Sequence, residues 1–296
     1  MTTKNKIVSI QGVKGAFHEI AAREYFGDEE ISIKECKTFN EVVTTVLCGH
    51  ADYGIMAIEN SIAGSILPNY KIIRESKVRI IGEIFIPIHQ HLMALQGQQL
   101  KDISEVYSHP MAIQQCEDFF DQHTDIKVIE SIDTAISARN IKENSTKGCG
   151  AIASKLAASI YGLEIIAENI ETSKRNYTRF LIIEASTGNE TDENSSNIDK
   201  SSFCFSLAHE SGSLYKVLSV LAFYNLNLTK IQSLPILGKE WEYFFYIDVV
   251  FDSYLRYKQA LSAISPLSID IEILGEYKSY EKQEESCIMQ EVIHEN

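Results

Sequence analysis

The sequence lacks paired cysteines and long apolar runs. Its six cysteines are widely spaced and form no C-x-x-C pair, so neither a zinc ribbon nor a dithiol redox centre is indicated. No stretch near the N-terminus has the continuous apolar run of a signal peptide, and no later run is long enough to span a bilayer. We therefore expect a cytoplasmic protein with buried, reduced thiols and no membrane partner.

Positive charge is also scarce in this chain. Lysine and arginine number 27 against 41 aspartates and glutamates, which gives a formal net charge of −14. This balance argues against a nucleic-acid-binding surface. With 296 residues, the chain exceeds what one hydrophobic core usually organises, so the length predicts about two domains.

Two stretches are too polar to fold alone. Residues 186–200 contain Ile198 as their single large apolar residue and are expected to form a linker. Residues 281–296 are expected to form an acidic tail. These boundaries predict a larger region over residues 1–185 and a smaller domain over residues 201–280.

The pattern of apolar residues differs between these two regions. In residues 1–185, short apolar runs alternate with helical patterns, as in IVSIQG followed by EIAAREYF, which predicts an α/β fold with mainly parallel strands. Residues 201–280 read strand, helix, strand, strand, helix, strand, the ferredoxin-like βαββαβ order. By fold analogy alone, a small unit of this kind is more often regulatory than catalytic.

Polar residues follow a strongly apolar predicted strand at the segment Glu59, Asn60 and Ser61. In an open α/β sheet, ligands bind at the carboxyl ends of strands, and a following helix N-terminus offers free N–H groups to an anion. An equally good interpretation is that Asn60 or Ser61 only caps the next helix.

Two more segments combine strands with polar side chains. Ser108 precedes a helix that opens with Pro110 and carries Gln115, and a simple N-cap is the stronger interpretation of Ser108. Thr178 and Arg179 precede the apolar strand FLII. The guanidinium fork matches a carboxylate and the hydroxyl can donate or accept, although a structural ion pair is the default role for such an arginine.

Two other patterns indicate little chemistry. His89 and His91 share a face of a predicted strand but lack a third ligand at a sensible spacing, so no metal site is expected. Gly12 and Gly15 follow a strand without the third glycine of a nucleotide-binding fingerprint. A tight turn from strand to helix is enough to explain them.

Taken in order, these segments resemble those of the prephenate dehydratase family, from Ile7 to about Tyr280. The matching motifs are the glycine turn QGVKGAF (11–17), ENSIAGS (59–65), SHP (108–110) and NYTRF (176–180). Val13 stands where the family usually has proline, and Met111 where a glutamine commonly follows SHP.

The resemblance implies a catalytic region of two α/β lobes, hinged like a type II periplasmic binding protein. One lobe would contain residues up to about 86 together with 170–185, and the other would contain 87–169. The polar segments would converge on one cleft that binds prephenate. The reaction would release phenylpyruvate, CO2 and water without a cofactor or a metal.

The same resemblance nominates Thr178 as the proton donor or as the group that orients one. Glu59 would be the ultimate donor if desolvation raised its pKa. Asn60 and Gln115 would complete the catalytic set. The predicted substrate-binding residues are Ser61, Ser108, Arg179 and Phe180.

The C-terminal unit resembles the ACT domain of the same family, which implies L-phenylalanine as an effector and a homodimer or homotetramer. The predicted effector-binding residues are Gly212, Ser213, Leu214, Gln232 and Ser233. Gln232 stands where the family has an acid, and Leu234 where it has an arginine.

Two other functions stay open on the sequence. An arogenate dehydratase would act on a substrate with an amino group in place of the keto oxygen. A non-catalytic binding protein or amino-acid sensor would use the same cleft, although it would not need a hydroxyl for a leaving group. The short polar lead before Ile7 predicts no fused chorismate mutase.

Overall fold

The computed structural model describes residues 5–27, 29–186, 197–236, 238–239 and 241–280. They form two compact units. The first contains the described residues up to Ile66 together with Ile84–Phe180, and the second contains Leu67–Glu83 and the described residues from Leu181 onward. Most of the predicted linker and all of the predicted acidic tail lie outside the described residues. Within the described ranges, no helix is long and apolar enough to cross a membrane.

Strands and helices alternate through the first 185 residues, as the apolar pattern predicts. The elements are β1 (Lys6–Gln11), α1 (Phe17–Phe26), β2 (Ile31–Cys36), α2 (Phe39–Leu47), β3 (Tyr53–Asn60), β4 (Gly64–Ser65), α3 (Leu67–Glu75), β5 (Val78–Pro87), β6 (His91–Ala94), β7 (Glu105–Ser108), α4 (Pro110–Gln115), α5 (Glu117–Asp121), β8 (Lys127–Glu130), α6 (Thr134–Asn144), β9 (Cys149–Ala153), α7 (Lys155–Tyr161), β10 (Glu164–Ala167) and β11 (Tyr177–Ala185).

Parallel pairing dominates the strands of the first unit. β1 pairs in parallel with both β2 and β3, and β11 lies beside β3. A separate five-stranded sheet has the order β10-β6-β9-β7-β8, in which β7 is parallel to both of its neighbours while β6 is antiparallel to β9 and β10. The predicted α/β fold with mainly parallel strands is therefore confirmed.

The glycine turn after β1 needs both of its glycines. Gly12 has φ +101° and Gly15 has φ +89°, in the left-handed region that side chains disfavour. A Cβ on Gly15 would lie 2.7 Å from the Cα of Ala157, so the turn packs directly against α7. The hydroxyl of Ser154 also donates a hydrogen bond to the carbonyl of Gly15 at 2.6 Å. The tight turn is confirmed, and close backbone packing is its second cause.

One predicted helix is broken in two. The segment MAIQQCEDFF has an apolar pattern that predicts a continuous helix, but α4 ends at Gln115 and α5 begins at Glu117. Cys116 between them has φ −111° and is fully buried. Burial of this thiol in the core beside Ala112 and Ile126 thus overrides the helical pattern.

The rest of the second unit is antiparallel. Its elements are β12 (Lys200–Ser206), α8 (Ser213–Phe223), β13 (Asn227–Pro235), β14 (Tyr243–Val250), α9 (Tyr254–Ile264) and β15 (Ile269–Tyr277). The strands have the order β13-β14-β12-β15, and a core of apolar residues from both helices and the sheet includes Phe203, Val217 and Tyr257. The predicted βαββαβ order is confirmed.

Candidate active site

A cavity of about 400 Å³ lies in the first unit, where β1 and β3 end. This volume suits a small molecule. Among its described lining residues, the amides and hydroxyls are Gln11, Asn60, Gln90, Gln115, Thr134 and Thr178. The titratable side chains are His18, His109 and Asp133, and the aromatic rings are Phe17, Phe39 and Phe180. The cavity therefore offers many hydrogen-bonding groups beside an apolar wall.

Asn60 and Thr178 are joined by a hydrogen bond inside this cavity. The Nδ2 of Asn60 donates to the Thr178 hydroxyl at 3.0 Å, to Asn176 Oδ1 at 2.7 Å and to the carbonyl of Tyr177 at 3.1 Å. Its Oδ1 accepts from the backbone of Ile62 and Ala63. Asn60 thus closes a turn with one atom and holds Thr178 with the other. Because the Thr178 oxygen accepts from Asn60, its own proton remains available to donate.

Ser61 fastens the two motif segments together. Its backbone N–H donates to the carbonyl of Tyr177 at 2.9 Å, and its hydroxyl accepts from the Tyr177 N–H at 3.0 Å. Ser61 is exposed and is not among the residues that line the cavity. Ser61 therefore lies beside the cavity, and its hydrogen bonds with Tyr177 help to position the segment that carries Thr178.

The structure of the SHP segment (108–110) differs from the one that the sequence predicts. Ser108 is fully buried, and its hydroxyl donates to the carbonyl of Ile152 at 2.8 Å, which links β7 to β9. The N-cap of α4 is His109, whose Nδ1 accepts from the Met111 N–H at 3.2 Å. The interpretation of Ser108 as the N-cap was therefore wrong. His109 itself lines the cavity.

Gln115 lies on the cavity wall, as the motif predicts. Its Oε1 accepts from the Nε2 of Gln90 at 3.2 Å, so the two amides form a pair. The Oε1 of Gln90 is buried and has no hydrogen-bond partner within the described part of the chain. This pair can therefore hold a polar group of a ligand.

Of the remaining predicted site residues, Phe180 lines the cavity, and Arg179 and Glu59 do not. Phe180 is buried and lines the cavity. Arg179 is also buried, with its guanidinium 6.0 Å from the centre of the Phe85 ring, and it is not a lining residue. Glu59 pairs through its backbone with Ser65 of β4 and does not line the cavity either.

His18 is a cavity residue that the sequence analysis did not identify. Its ring packs against Phe39 and Phe180, with centroid distances of 5.5 and 5.0 Å. Its Nε2 atom is buried without a hydrogen-bond partner among the described residues. Desolvation lowers the pKa of His18 from 6.5 to about 4, so the imidazole is neutral at physiological pH. In the sequence, the glycine turn that immediately precedes His18 is the feature that could have indicated its place in the cavity.

We expect His18 to make stability depend on pH. The unfolded chain protonates this ring near pH 6.5 and the folded chain only near pH 4, so stability falls as pH drops through that window. Because some of the ring surface faces the cavity, we expect the free energy of unfolding to fall by about 1–3 kcal/mol across this window, which is less than a completely desolvated ring would give. Urea unfolding of wild type and His18→Phe between pH 7 and 4.5 measures it. The variant should show a shallower slope.

The exposed His50 provides the matched control for this measurement. His50→Gln removes an exposed histidine and should keep the wild-type slope. An identical slope in wild type and His18→Phe would contradict the assignment of a neutral, desolvated ring.

Asp133 is a second lining residue that the sequence analysis did not identify. It is the N-cap of α6, where its Oδ1 accepts from the Ile136 N–H at 3.0 Å. A Cβ on Gly12 would lie only 3.2 Å from its Oδ2, so the absence of a side chain at Gly12 makes room for the carboxylate. Burial raises the pKa of Asp133. An aspartate just before a helical pattern was the signal for the cap, but not for the cavity.

His89 and His91 have separate hydrogen-bond partners. The Nδ1 of His89 lies 3.1 Å from Glu171 Oε1, and the Nδ1 of His91 accepts from the Asn169 N–H at 3.2 Å. Across the described ranges, no group of three His, Cys, Asp or Glu side chains is arranged to hold a metal ion.

The predicted effector residues lie in two places in the second unit. Gly212 is the N-cap of α8 with φ +79°, and Ser213 donates to the carbonyls of Ala208 and Glu210 at 2.9 Å. Leu214 packs partly against the core. The Gln232 side chain donates to the carbonyl of Ser233 at 3.0 Å.

The position of the family's arginine is occupied by Leu234, which pairs across the sheet with Phe244. The guanidinium of Arg74, on α3, stacks on the Phe244 ring with its Cζ 3.8 Å from the centroid. Leu234, Phe244 and Arg74 line one cavity in the second unit. An arginine at position 234 would therefore place a second guanidinium close to that of Arg74.

The α/β unit and its cavity define a class of small-molecule site in which amides and hydroxyls face an apolar wall. The family profile described as prephenate dehydratase matches residues 8–187 of this chain. The chain therefore belongs to the prephenate dehydratase family, and the family predicted from its motifs is confirmed.

A curated relative extends the likeness beyond the first unit. The bifunctional chorismate mutase/prephenate dehydratase of Buchnera aphidicola subsp. Acyrthosiphon pisum (strain APS) is 35% identical over 283 residues, which cover 93% of this chain and 72% of the relative.

Two solved structures resemble most of the chain. Prephenate dehydratase from Arthrobacter aurescens in complex with L-Phe is 27% identical, with a TM-score of 0.82 over 93% of this chain and 91% of its own. GqqA, described as a novel type of quorum quenching acylase, is 28% identical, with a TM-score of 0.84 over 94% of this chain and 100% of its own.

Proposed function

We propose that this chain catalyses the decarboxylative dehydration of prephenate to phenylpyruvate. Its family membership and the predicted motifs support this reaction. The observation that carries the proposal is the hydrogen bond from Asn60 to Thr178 inside the cavity, at 3.0 Å. It orients a hydroxyl so that its proton can be donated to a ligand.

The step that most needs catalysis is the departure of the ring hydroxyl. The bond between the ring and its carboxylate breaks to release CO2, its electron pair enters the ring, and the opposite ring C–O bond breaks. The departing oxygen takes up a proton and leaves as water. A positioned donor at that oxygen contributes about 10²–10⁴-fold.

Thr178 is our candidate for the group at the leaving oxygen. A threonine hydroxyl is a weak acid, so it acts by electrostatic stabilisation and proton relay rather than by bulk proton supply. The role of Glu59 as the ultimate proton donor stays a prediction. Its side chain does not line the cavity.

The other predicted residues have two kinds of role in this proposal. Gln115, paired with Gln90, holds a polar substituent, and Phe180 forms part of the apolar wall along which the ring lies. None of Ser61, Ser108 and Arg179 lines the cavity. Ser61 positions the Thr178 segment through its hydrogen bonds with Tyr177, and Ser108 links β7 to β9 through the carbonyl of Ile152. The apolar wall also suits a product that is aromatic.

An acylase function is less well supported by this site. Covalent acyl transfer needs a hydroxyl or thiol activated by an adjacent base. The Thr178 oxygen accepts a hydrogen bond from an amide, which cannot serve as that base. Within the described residues, no hydroxyl that lines the cavity is hydrogen-bonded to a histidine.

The purified chain can be tested with prephenate and, separately, with an N-acyl amide. We expect phenylpyruvate from prephenate, measured by its absorbance in alkali, and no acid release from the amide. Amide hydrolysis without phenylpyruvate would replace the dehydratase by the acylase. Tight binding of prephenate without turnover would instead favour a sensor.

We also propose that L-phenylalanine inhibits the chain through the βαββαβ unit, acting as an ACT domain. A phenylalanine-bound relative of 27% identity supports this regulation. Two copies would pair through this unit, because β13 lies at one edge of its sheet among the described strands. Phenylalanine would act by binding the less active conformation more tightly.

Gly212→Ala should weaken this inhibition about tenfold. Gly212 has φ +79° at the start of α8, and a Cβ there strains the turn even though no atom lies within 4 Å of it. The measurement is the phenylalanine concentration that halves the rate. Gly238→Ala is the matched control, because Gly238 has φ +81° and equally open surroundings in another loop of the same unit. Equal inhibition of both variants and wild type would contradict the predicted effector site.

A further inference from the structure

Two connecting segments of the first unit are hydrogen-bonded to each other at Gln90. Residues 88–90 connect β5 to β6, and residues 168–176 connect β10 to β11. The Ile170 N–H, in the second segment, donates to the backbone carbonyl of Gln90 at 2.8 Å. The second segment therefore holds the backbone of a residue whose side chain lines the cavity.

The side chain of Glu171 makes another hydrogen bond to Gln90. Glu171 is 2% exposed and does not line the cavity. Its Oε2 accepts from the Gln90 N–H at 3.0 Å, and its Oε1 lies 3.1 Å from the Nδ1 of His89. The Nζ of Lys174 is 3.8 Å from the same Oε1. Because both carboxyl oxygens face nitrogen atoms, this buried side chain is held in one position and fixes the N–H of Gln90.

The same segment also holds the other member of the amide pair. The Thr172 N–H donates to the backbone carbonyl of Gln115 at 2.8 Å. The hydroxyl of Thr172 accepts from the Asp118 N–H at 3.2 Å, so Thr172 is itself held in place. Residues 170–172 thus contact both Gln90 and Gln115, whose side-chain amides are joined by a hydrogen bond of 3.2 Å.

Gln90 has a side-chain atom that is suited to a ligand. The residue is 2% exposed, and its Oε1 is buried without a hydrogen-bond partner among the described residues. A buried amide oxygen without a partner lowers stability, so its presence on a cavity wall is explained by a ligand that binds to it. The amide can bind that ligand only while the backbone at Gln90 keeps its conformation.

We infer that Glu171 is a positioning residue of the proposed dehydratase: it fixes the backbone at Gln90, so that the amide pair of Gln90 and Gln115 binds a polar group of the substrate. This inference rests on the proposed function and adds to it a buried residue that does not touch the substrate. A polar group that stays on the substrate throughout the reaction is bound equally in the ground state and in the transition state. Loosening the amide pair should therefore raise KM more than it lowers kcat.

Glu171→Met removes both acceptor oxygens from a side chain of similar length. We expect this variant to raise the KM for prephenate about tenfold and to lower kcat less than about threefold. Glu171→Gln keeps an oxygen for the Gln90 N–H and offers its amide nitrogen to His89, so both constants should stay within about threefold of wild type. Steady-state kinetics measures both variants. A folded Glu171→Met variant with the wild-type KM, or with a loss of kcat alone, would overturn the inference.

A double-mutant cycle distinguishes positioning from general damage to the fold. Gln90→Leu removes the amide and should by itself raise KM about tenfold. Because Glu171 acts through Gln90, adding Glu171→Met to Gln90→Leu should raise KM further by less than about threefold. A second full increase in the double variant would show that the two residues act independently, and it would overturn the inference.

Glu168→Met is the matched control, because Glu168 is an exposed residue of the same connecting segment. It should leave kcat and KM at their wild-type values. If Glu171→Met does not fold, Glu171→Asp keeps the carboxyl group but withdraws it by one methylene, and KM should rise at least about threefold. An unchanged KM in Glu171→Asp would then overturn the inference. A wild-type chain that does not turn over prephenate would instead overturn the proposed dehydratase function.

Discussion

Thr178→Ala should lower kcat for prephenate by about 10³-fold while changing KM by less than about threefold. The hydroxyl of Thr178 accepts from Asn60 and has its proton free for the departing oxygen, so its removal affects the transition state more than the ground state. Thr178→Ser keeps the hydroxyl and should retain activity within about tenfold of wild type. Steady-state kinetics with prephenate measures both.

The exposed Thr44 on α2 offers a control of the same chemistry. Thr44→Ala should keep the wild-type kcat and KM. If a folded Thr178→Ala variant turned over prephenate at close to the wild-type rate, Thr178 could not be the group at the leaving oxygen.

Asn60→Asp should lower kcat by about 10²-fold or more and reduce the free energy of unfolding by about 2–4 kcal/mol. Asn60 Nδ2 donates to Asn176 Oδ1, the Tyr177 carbonyl and the Thr178 hydroxyl, and an aspartate oxygen at this atom can donate to none of them. Thr178 would then donate its proton to the aspartate instead of the substrate. Kinetics and urea unfolding report the two effects.

A chemically identical change at an exposed site separates the local effect from the added charge. Asn40→Asp lies in the first turn of α2, where a negative charge is tolerated by the helix dipole. We expect wild-type activity and unchanged or slightly higher stability for it. Wild-type kcat in Asn60→Asp would contradict the proposed direction of the hydrogen bond to Thr178.

The sequence was a good guide where the periodicity of apolar residues is set by local geometry. Alternation of strands and helices predicted the α/β unit, and the order of six elements predicted the βαββαβ unit. It was a poorer guide where burial decides. The break at Cys116 arises because a thiol is fully buried between two short helices, and no local propensity signals that packing.

The candidate site was predictable where its residues belong to sequence motifs. Asn60, Gln115, Thr178 and Phe180 all line the cavity, and each belongs to or closely follows a segment that the sequence analysis singled out. His18 and Asp133 were not identified, because their place on the wall depends on contacts between residues far apart in the chain. The approach of Asp133 to Gly12, for example, joins positions separated by most of the first unit.

The motif residues that do not line the cavity also reflect tertiary contacts. Ser108 faces inward from β7 and binds the carbonyl of Ile152 on the neighbouring strand, which left His109 to cap the helix. Ser61 exchanges hydrogen bonds with Tyr177 across the two motif segments. Sequence spacing alone cannot distinguish such a supporting contact from a contact with substrate.

The measurement that tests the central claim most directly is the stoichiometry of product formation from prephenate by the purified chain. CO2 and phenylpyruvate should appear in a 1:1 ratio and at the same rate in wild type, and both should nearly disappear in Thr178→Ala. Neither product from wild type, or the same rate in Thr178→Ala as in wild type, would contradict dehydration in the Asn60–Thr178 cavity.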